Sequence, residues 1–304
     1  MILNNNNNYH TPVMLDEVVW LMNIKPGGIY VDCTLGSGGH TLGFLEFLGS
    51  KIQIIGIDKD KEAISTAKQK LRCFGDAVTY VQGSFSKLQD IVENLNIMQV
   101  DGVLFDLGVS SYQLDKPERG FSYMEDGPLD MRMNQDTGKS AKDLINSLSA
   151  NELAYIFKTY GEERWAVRIS KFIEKWRKES PITSTTQLVN LIKAAIPSRA
   201  RRTGPHPARR TFQALRIAVN KELNELELGL TQANEILSPG GRLVAISYHS
   251  LEDRIVKTMF RQKSKDKNYN SLRVLTKRPI VPCKEEIMFN PRSRSAKLRA
   301  AEKF

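Results

Sequence analysis

A strand, glycine-rich turn, helix and strand pattern near residue 30 constrains the fold of this chain more than any other feature. Residues 29–33 form an apolar run, a Gly-rich segment and a helical run follow, and a second apolar run closes at Asp58. Gly36, Gly38 and Gly39 allow a tight turn and let a ligand approach the main chain, where the free N–H groups of the next helix point. The pattern predicts the first βαβ unit of a nucleotide-binding α/β sheet.

Two carboxylates in this unit bear on which nucleotide cofactor it holds. Asp58, at the carboxyl end of the second strand, is placed to accept hydrogen bonds from ribose hydroxyls. The dinucleotide fingerprint would need glycine at the position of Thr41, so NAD is disfavoured. Asp32, inside the first strand, would repel a pyrophosphate but suits the cationic amino acid end of S-adenosylmethionine. The residues therefore favour S-adenosylmethionine, with a plain tight turn in another α/β protein as the alternative.

Charge and cysteine content narrow the class of protein. The chain has 304 residues and a formal net charge of +10, which points to a polyanionic partner such as nucleic acid. Cys33, Cys73 and Cys283 are too scattered for a disulfide framework or a zinc cluster, so we expect no metal and a reducing cytoplasm. No apolar run is long enough to cross a bilayer, and the N-terminus has no secretory signal pattern. We therefore expect a cytoplasmic protein without a membrane partner.

The rest of the chain predicts a sheet domain interrupted by helices. Further strands are predicted at 77–82, at 100–106 ending in Asp106, at 242–246 and at 272–275. The interval before the strand at 242 is far longer than a βα connection, and capping boxes begin within it at Ser149 and Ser184. We predict a small helical domain over 112–210, inserted between two parts of the sheet domain, 1–111 and 211–304.

Helical periodicity gives two further expectations. Trp165 and Trp176 recur at helical spacing with other apolar residues, and we expect both rings in the core of the insert. A long amphipathic helix is predicted over 212–237, leading into the strand at 242.

Two basic stretches are candidates for contact with an RNA backbone. The first, residues 199–210, is dense in arginine, and its proline and glycine residues are expected to hold it extended for phosphate contacts. A solvated linker is the alternative interpretation. The second stretch lies near the C-terminus, within 290–299. The RNA-binding candidates are Arg199, Arg201, Arg202, Arg209, Arg210, Arg292 and Arg294.

Motifs along nearly the whole chain resemble those of one family. They occupy residues 10–15, 32–40, 106–115, 119–122, 127–133, 248–254 and 291–295. The chain resembles the MraW family of bacterial ribosomal RNA small subunit methyltransferases H. The resemblance implies a Rossmann-like class I methyltransferase sheet with an inserted helical domain. It also implies methyl transfer from S-adenosylmethionine to N4 of a cytosine in the decoding centre of 16S ribosomal RNA, either naked or within the small ribosomal subunit.

The resemblance also implies which residues hold the cofactor. They map onto Gly38, Gly39, His40, Asp58, Phe85, Asp106 and Gln113. Phe85 follows the third strand, where its ring could stack on adenine.

The chemistry makes Asp106 the main catalytic candidate. Methyl transfer from a sulfonium needs alignment more than acid or base power, because the leaving group departs neutral. The lone pair of the cytosine amine is delocalised into the ring, so an acceptor oxygen that draws the nitrogen out of plane would help. Asp106 could orient that amine or hold the methionine amino group, and both roles stay open. Tyr248 and His249 are further candidates, although His249 suits a hydrogen-bonding helix start equally well.

Other functions compete with methylation at N4. Methylation at cytosine C5 needs a cysteine nucleophile near the end of the fourth or fifth strand, and none of the three cysteines is there. A DNA amino-methyltransferase is the nearest enzyme alternative, which RNA and DNA substrates distinguish. A non-catalytic RNA-binding assembly factor would bind no cofactor, and a dehydrogenase would bind NAD.

Overall fold

The computed structural model describes residues 12–202, 204–266 and 271–304. It divides into two units. We call them the sheet unit, which comprises the described residues up to Gly108 together with Glu225–Phe304, and the helical unit, Val109–Asn224. No helix among the described residues has the length and apolar character that crossing a membrane requires.

Seven strands form one sheet in the sheet unit. In chain order they are β1 (Ile29–Asp32), β2 (Gln53–Asp58), β3 (Val78–Gln82), β4 (Val100–Asp106), β5 (Leu237–Ser247), β6 (Leu272–Val274) and β7 (Lys297–Lys303). They lie in the order β3-β2-β1-β4-β5-β7-β6. The first five are parallel, and β7 is antiparallel to both β5 and β6. The chain moves outward from β1 to β3 and returns to β4 beside β1, and open α/β sheets collect their ligands at the carboxyl ends of such strands.

Helices cover the sheet and build the helical unit. In chain order they are α1 (Leu15–Met22), α2 (Gly39–Leu48), α3 (Lys61–Lys70), α4 (Leu88–Asn94), α5 (Ser111–Asp115), α6 (Ala141–Ser147), α7 (Ala150–Gly161), α8 (Ala166–Trp176), α9 (Thr185–Ala195), α10 (Ser198–Arg201), α11 (Arg209–Asn220), α12 (Glu222–Ile236), α13 (Ser250–Lys263) and α14 (Lys284–Phe289). Of these, α12 begins in the helical unit and continues into the sheet unit.

The inner strands are buried on both faces. Neighbouring strand residues enter different apolar clusters, because side chains alternate along a strand. Tyr30 and Val31 show this in β1, as do Leu104 and Phe105 in β4. Residues of α1, α2 and α3 complete the first cluster, and residues of α4, α12 and α13 complete the second. Burial on both faces explains the nearly continuous apolar runs that predict these strands, and the predicted α/β class is confirmed.

The helical unit has its own apolar core. Phe157, Ile169 and Leu188 are fully buried in it. Trp165 packs against this core, but Trp176 is 48% exposed. The expectation of two core tryptophans is therefore wrong for Trp176, because α8 turns that side of the helix away from the core.

The predicted helix over 212–237 is two helices in the structure. Lys221 adopts a left-handed φ of 53° and its N–H donates to the carbonyl of Ile217, which ends α11 before α12 begins. The residues of α11 belong to the helical unit, where Phe212 and Leu215 are buried in the core. The helical unit accordingly extends to Asn224 instead of the predicted 210.

The C-terminal strands differ most from the sequence predictions. β5 begins at Leu237, five residues before the predicted start at 242, and includes Pro239 and Gly240. β7 was not predicted at all, because its residues are rich in lysine and arginine. It nevertheless pairs along β5, with Leu243 opposite Ala301 and Ser247 opposite Lys297.

Candidate cofactor and active site

The glycine-rich loop after β1 is folded against the end of β2. Gly36 and Gly38 have φ of +52° and +76°, the left-handed region in which glycine is favoured. A Cβ on Gly38 would lie 3.0 Å from Cδ1 of Leu71, so the turn has little room for a side chain. The N–H of Gly36 donates to Oδ2 of Asp58 at 2.8 Å. The loop and the β2 carboxylate therefore form one structural element.

Asp58 has acceptor capacity to spare. Its Oδ1 accepts the N–H of Asp60 at 2.8 Å, so each oxygen holds one backbone N–H. An ionised carboxylate has about four acceptor positions, which leaves room for hydroxyl donors of a ligand. Burial raises the pKa of Asp58 to about 6, against the opposing effect of the two backbone hydrogen bonds. The contact of Asp58 with ribose hydroxyls stays a prediction.

Asp106 is fixed from three directions at the end of β4. Its N–H donates to Oγ1 of Thr34 at 2.6 Å, which links it to the loop after β1. Its Oδ1 accepts the hydroxyl of Tyr248 at 2.7 Å, and its Oδ2 lies 3.6 Å from Nδ1 of His40. The side chain keeps 24% of its surface exposed. The carboxylate is therefore both held in place and accessible to a ligand.

Burial raises the pKa of both Asp106 and Tyr248. It raises the pKa of Asp106, an effect that His40 and Tyr248 oppose and that the charges of Asp32 and Glu252 reinforce. Burial and the neighbouring Asp106 charge raise the pKa of Tyr248 well above its usual value. Tyr248 accordingly remains a hydroxyl donor toward Asp106 at neutral pH.

His40 is engaged by protein groups on both ring nitrogens. Its Nε2 lies 2.9 Å from the carbonyl oxygen of Val13, and a carbonyl only accepts, so this nitrogen carries the hydrogen. Its Nδ1 faces Asp106, and the ring is 5% exposed. These contacts place the His40 ring between Val13 and Asp106, while its direct contact with the cofactor stays a prediction.

Asp32 lies behind the loop. It is 1% exposed, and its two oxygens accept the N–H of Thr34 at 3.2 Å and the hydroxyl of Thr41 at 2.8 Å. It can therefore act on a cationic ligand through its charge but not by contact. Sequence reasoning missed Thr34, which joins Asp32 to Asp106. The available signal was a hydroxyl residue two positions after an aspartate, which suits a side-chain-stabilised turn.

Phe85 is wedged at the end of β3. Its ring packs edge-on against Phe105, with centroids 5.4 Å apart and planes at 83°. Lys59 Nζ lies 5.9 Å from its centroid, and a Cβ on Gly229 would lie 2.7 Å from its Cδ2. The ring is half-buried, and its stacking on adenine stays a prediction.

His249 begins α13. Its Nδ1 accepts the N–H of Glu252 at 3.4 Å, and Glu252 in turn accepts the N–H groups of Tyr248 and His249. Glu252 is 2% exposed, so this capping arrangement is buried. It fixes the backbone from which Tyr248 reaches Asp106.

The remaining predicted cofactor residue, Gln113, belongs to the helical unit. It is 4% exposed and forms a capping box with Ser110, whose N–H donates to its Oε1 at 3.1 Å. Its contact with a cofactor stays a prediction.

All seven arginine candidates are exposed. The first part of the 199–210 stretch forms α10, so the expectation of an extended segment is wrong there, and Thr203 lies outside the described residues. Arg209 and Arg210 begin α11, and Arg292 and Arg294 lie on the 3-10 turn Pro291–Ser295 of the sheet unit.

Comparison with known proteins identifies the family. The family model for the MraW methylase family matches residues 7–304. The chain belongs to the MraW methylase family. Proteins named ribosomal RNA small subunit methyltransferase H from Clostridioides difficile, Halothermothrix orenii and Geobacter sulfurreducens are 47%, 49% and 51% identical to it. Each alignment covers 97% of this chain and 98–99% of the relative.

Membership of the MraW family makes this chain a methyltransferase with S-adenosylmethionine as its cofactor. It argues against both the dehydrogenase and the non-catalytic assembly factor. A crystal structure of an rRNA methylase from Streptococcus thermophilus aligns over 95% of this chain and 93% of that chain. With 12% identity and a TM-score of 0.44, that alignment is too loose to assign residues.

Proposed function

We propose that this chain methylates N4 of a cytosine in the decoding centre of 16S ribosomal RNA. The names of its relatives and its own sequence motifs support this substrate. The observation that carries the proposal is the accessible Asp106 carboxylate, fixed by Thr34, Tyr248 and His40 at the edge where such sheets bind ligands.

The cofactor site is proposed along the carboxyl ends of β1, β2 and β4. Asp58 receives the ribose hydroxyls, and the loop that contains Gly38 and Gly39 allows the close approach of the ligand. Three further side chains are proposed to contact the cofactor, namely the rings of Phe85 and His40 and the amide of Gln113. When bound, S-adenosylmethionine supplies an electrophilic methyl group on a sulfonium.

Asp106 acts on the target amine or on the methionine ammonium. Both carboxylate oxygens of Asp106 can accept a further hydrogen bond besides their contacts with Tyr248 and His40. By accepting one hydrogen of the cytosine amine, the carboxylate would favour a pyramidal nitrogen, whose lone pair is less delocalised into the ring. On transfer of the methyl group the amine would have to lose a proton, and the Asp106 carboxylate would be placed to accept it. The raised pKa of Asp106 makes it a better acceptor for that proton than an ordinary carboxylate.

Tyr248 and His249 are proposed to position this carboxylate. Tyr248 donates directly to Asp106, while His249 fixes the start of α13 and thereby the place of Tyr248. Alignment is the main requirement of this reaction, so a small displacement of Asp106 carries a large cost in rate.

The test is methyl transfer by the full chain with isotopically labelled S-adenosylmethionine. The substrates are small ribosomal subunits from cells that lack the protein, naked 16S ribosomal RNA and duplex DNA. We expect label in N4-methylcytidine after digestion of the ribosomal RNA to nucleosides. Label in C5-methylcytidine, or efficient transfer only to DNA, would contradict the proposal.

A further inference from the structure

The outward face of α8 in the helical unit carries aromatic rings and cations side by side. Ala166, Ile169 and Ile173 turn toward the core and are buried. The opposite side exposes basic residues together with apolar ones, of which Phe172 is 36% and Trp176 48% exposed. Hydrophobic residues of this size on the solvent side add nothing to the core of the unit.

Helical spacing separates this face into two parallel rows. Residues three or four apart lie one above the other on a helix. Arg168, Lys171 and Lys175 follow each other at intervals of three and four, which makes one basic row, and Arg164, in the turn before α8, extends it. Phe172 and Trp176 are four residues apart, which makes an aromatic row beside it, and the partly buried ring of Trp165 lies at the N-cap of the helix.

Contacts within the face join the two rows. The guanidinium carbon of Arg164 lies 5.7 Å from the ring centroid of Trp165, and that of Arg168 lies 5.7 Å from the ring centroid of Phe172. A shallow groove of about 500 Å³ runs over them and is also lined by Lys171. Cations and π-faces are thus presented together over the length of the helix.

The charge of this face is unbalanced. Residues 164–178 contain six basic residues and one acidic residue, Glu174. Among the described residues, none of the four cations of the basic row forms an ion pair. The face therefore suits a partner that brings both negative charge and flat apolar groups.

We propose that the outward face of α8 binds an unpaired segment of the ribosomal RNA substrate. Phosphates contact the basic row while bases stack on the aromatic row and on arginine planes, the combination by which proteins hold single strands. Duplex RNA offers its phosphates but not its stacked bases. A second copy of the chain fits poorly, because a two-fold interface would place this basic row against itself. The inference rests on the proposed function and adds a second substrate contact to it.

Stacking is tested at Phe172 by fluorescence anisotropy with the full chain. The probe is a fluorescein-labelled, unstructured RNA of about 12 nucleotides, compared with the same sequence in a duplex. Phe172→Leu keeps the apolar bulk and should weaken single-strand binding about tenfold, whereas Phe172→Tyr should keep it. Wild-type affinity in Phe172→Leu, or an equal loss on the duplex, would overturn the stacking role.

Charge is tested with two double variants of equal charge change. Arg168→Ala with Lys171→Ala should lower the slope of log affinity against log salt by about 1.4, since each single-strand phosphate contact contributes about 0.7. Lys142→Ala with Lys158→Ala, exposed residues of α6 and α7 in the same unit, serves as the matched control and should change it little. Equal slopes in the two pairs would overturn the proposal.

Two further readouts distinguish RNA binding by this face from self-association and from failure of the proposed function. Sedimentation of Phe172→Leu should match that of the wild type, and loss of a dimer at unchanged RNA affinity would assign the face to a second copy instead. If the wild type yields no N4-methylcytidine, the proposed function fails. If it does yield N4-methylcytidine while the α8 variants bind like wild type, only this inference fails.

Discussion

The candidate site carboxylates of the sheet unit and the candidate RNA-binding residues of the helical unit differ in their exposure to water. In the sheet unit, Asp32, Asp58 and Asp106 lie at strand ends, where Asp32 is buried, Asp58 and Asp106 are partly buried, and all three are held by backbone N–H groups or hydroxyls. In the helical unit, the arginines of 199–210 and the cations of α8 are exposed. This difference in exposure predicts which substitutions should affect methyl transfer and which should affect RNA affinity.

The carboxylates at the strand ends are connected through shared neighbours, whereas the exposed arginines contribute nearly independently of one another. Each of these carboxylates is held by hydrogen bonds from neighbouring groups, so removing one disturbs the others. An exposed arginine keeps its hydration until a partner arrives, and its contribution is screened by salt. Substitutions at the sheet edge should therefore have large effects on chemistry, while surface arginines should have small, salt-dependent effects on RNA affinity.

The largest effect is expected at Asp106. Asp106→Ala should reduce methyl transfer about a hundredfold or more, because the substrate loses the group that aligns it. Single-turnover transfer to ribosomal RNA measures this, with thermal melting as the check that the fold persists. Activity equal to the wild type would refute any role of Asp106 in the reaction.

Calorimetric titration with S-adenosylmethionine then assigns that role. If Asp106 orients the target amine, the affinity of the variant for the cofactor should match that of the wild type. A large loss of affinity would place it on the methionine ammonium instead. Tyr248→Phe keeps the carboxylate and removes the hydrogen bond that positions it, so it tests whether loss of positioning alone lowers the rate of methyl transfer.

Sequence patterns predicted the first half of the sheet well. The strands β1, β2 and β4 are largely apolar on both faces, and each of the first four strands ends at a turn or a carboxylate that local sequence reveals. The same patterns predict Asp58 and Asp106 at strand ends, and both residues lie there. Local patterns failed at β7, whose charges resemble a solvated tail. Arg299 there is 6% exposed and its Nε lies 2.7 Å from Oδ1 of Asp253, a partner that no local pattern discloses.

The details of the site escaped prediction for the same reason. His40 was expected to touch the cofactor because of its place in the glycine-rich motif. Its engagement with Val13 and Asp106 depends on how α1, α2 and β4 come together. The position of a residue at a strand end could be predicted, whereas a contact between elements distant in the chain could not.

A smaller effect is expected at Asp58, on binding. Its pKa of about 6 lies above the ordinary value, so the carboxyl is ionised at pH 7.5 and gains a proton as the pH falls through 6. A protonated carboxyl has fewer acceptor positions for ribose hydroxyls. Affinity for S-adenosylmethionine should therefore fall below pH 6. Asp58→Ala should weaken binding by about 1 to 3 kcal/mol at pH 7.5 and flatten this dependence.

The raised pKa of Asp58 has the opposite effect on the stability of the unliganded fold, which increases as the pH falls. Because the folded state holds this proton more tightly than the unfolded state, the stabilising contribution of Asp58 is complete below its unfolded pKa and is lost as the pH rises through about 6. Asp58→Asn should accordingly bind the cofactor less well without lowering the melting temperature at pH 7.5. Calorimetry measures the affinity for S-adenosylmethionine and thermal melting measures stability, each from pH 5 to 8. If the affinity of wild type and of Asp58→Ala depended on pH in the same way, Asp58 would not be part of the cofactor site.

The smallest effect is expected from the exposed arginines of the helical unit. Arg201→Ala with Arg202→Ala removes two charges that can each contact one phosphate and release its counterions. The slope of log RNA affinity against log salt should fall by about 1.4 to 1.8, with a loss of affinity that shrinks as salt rises. Binding of S-adenosylmethionine should stay at the wild-type level, since neither side chain belongs to the carboxylate network of the sheet unit. Lys142→Ala with Lys158→Ala again controls for net charge. A solvated linker predicts superimposable lines for wild type and the arginine variant, and that result would show that charge exposure alone does not mark an RNA contact here.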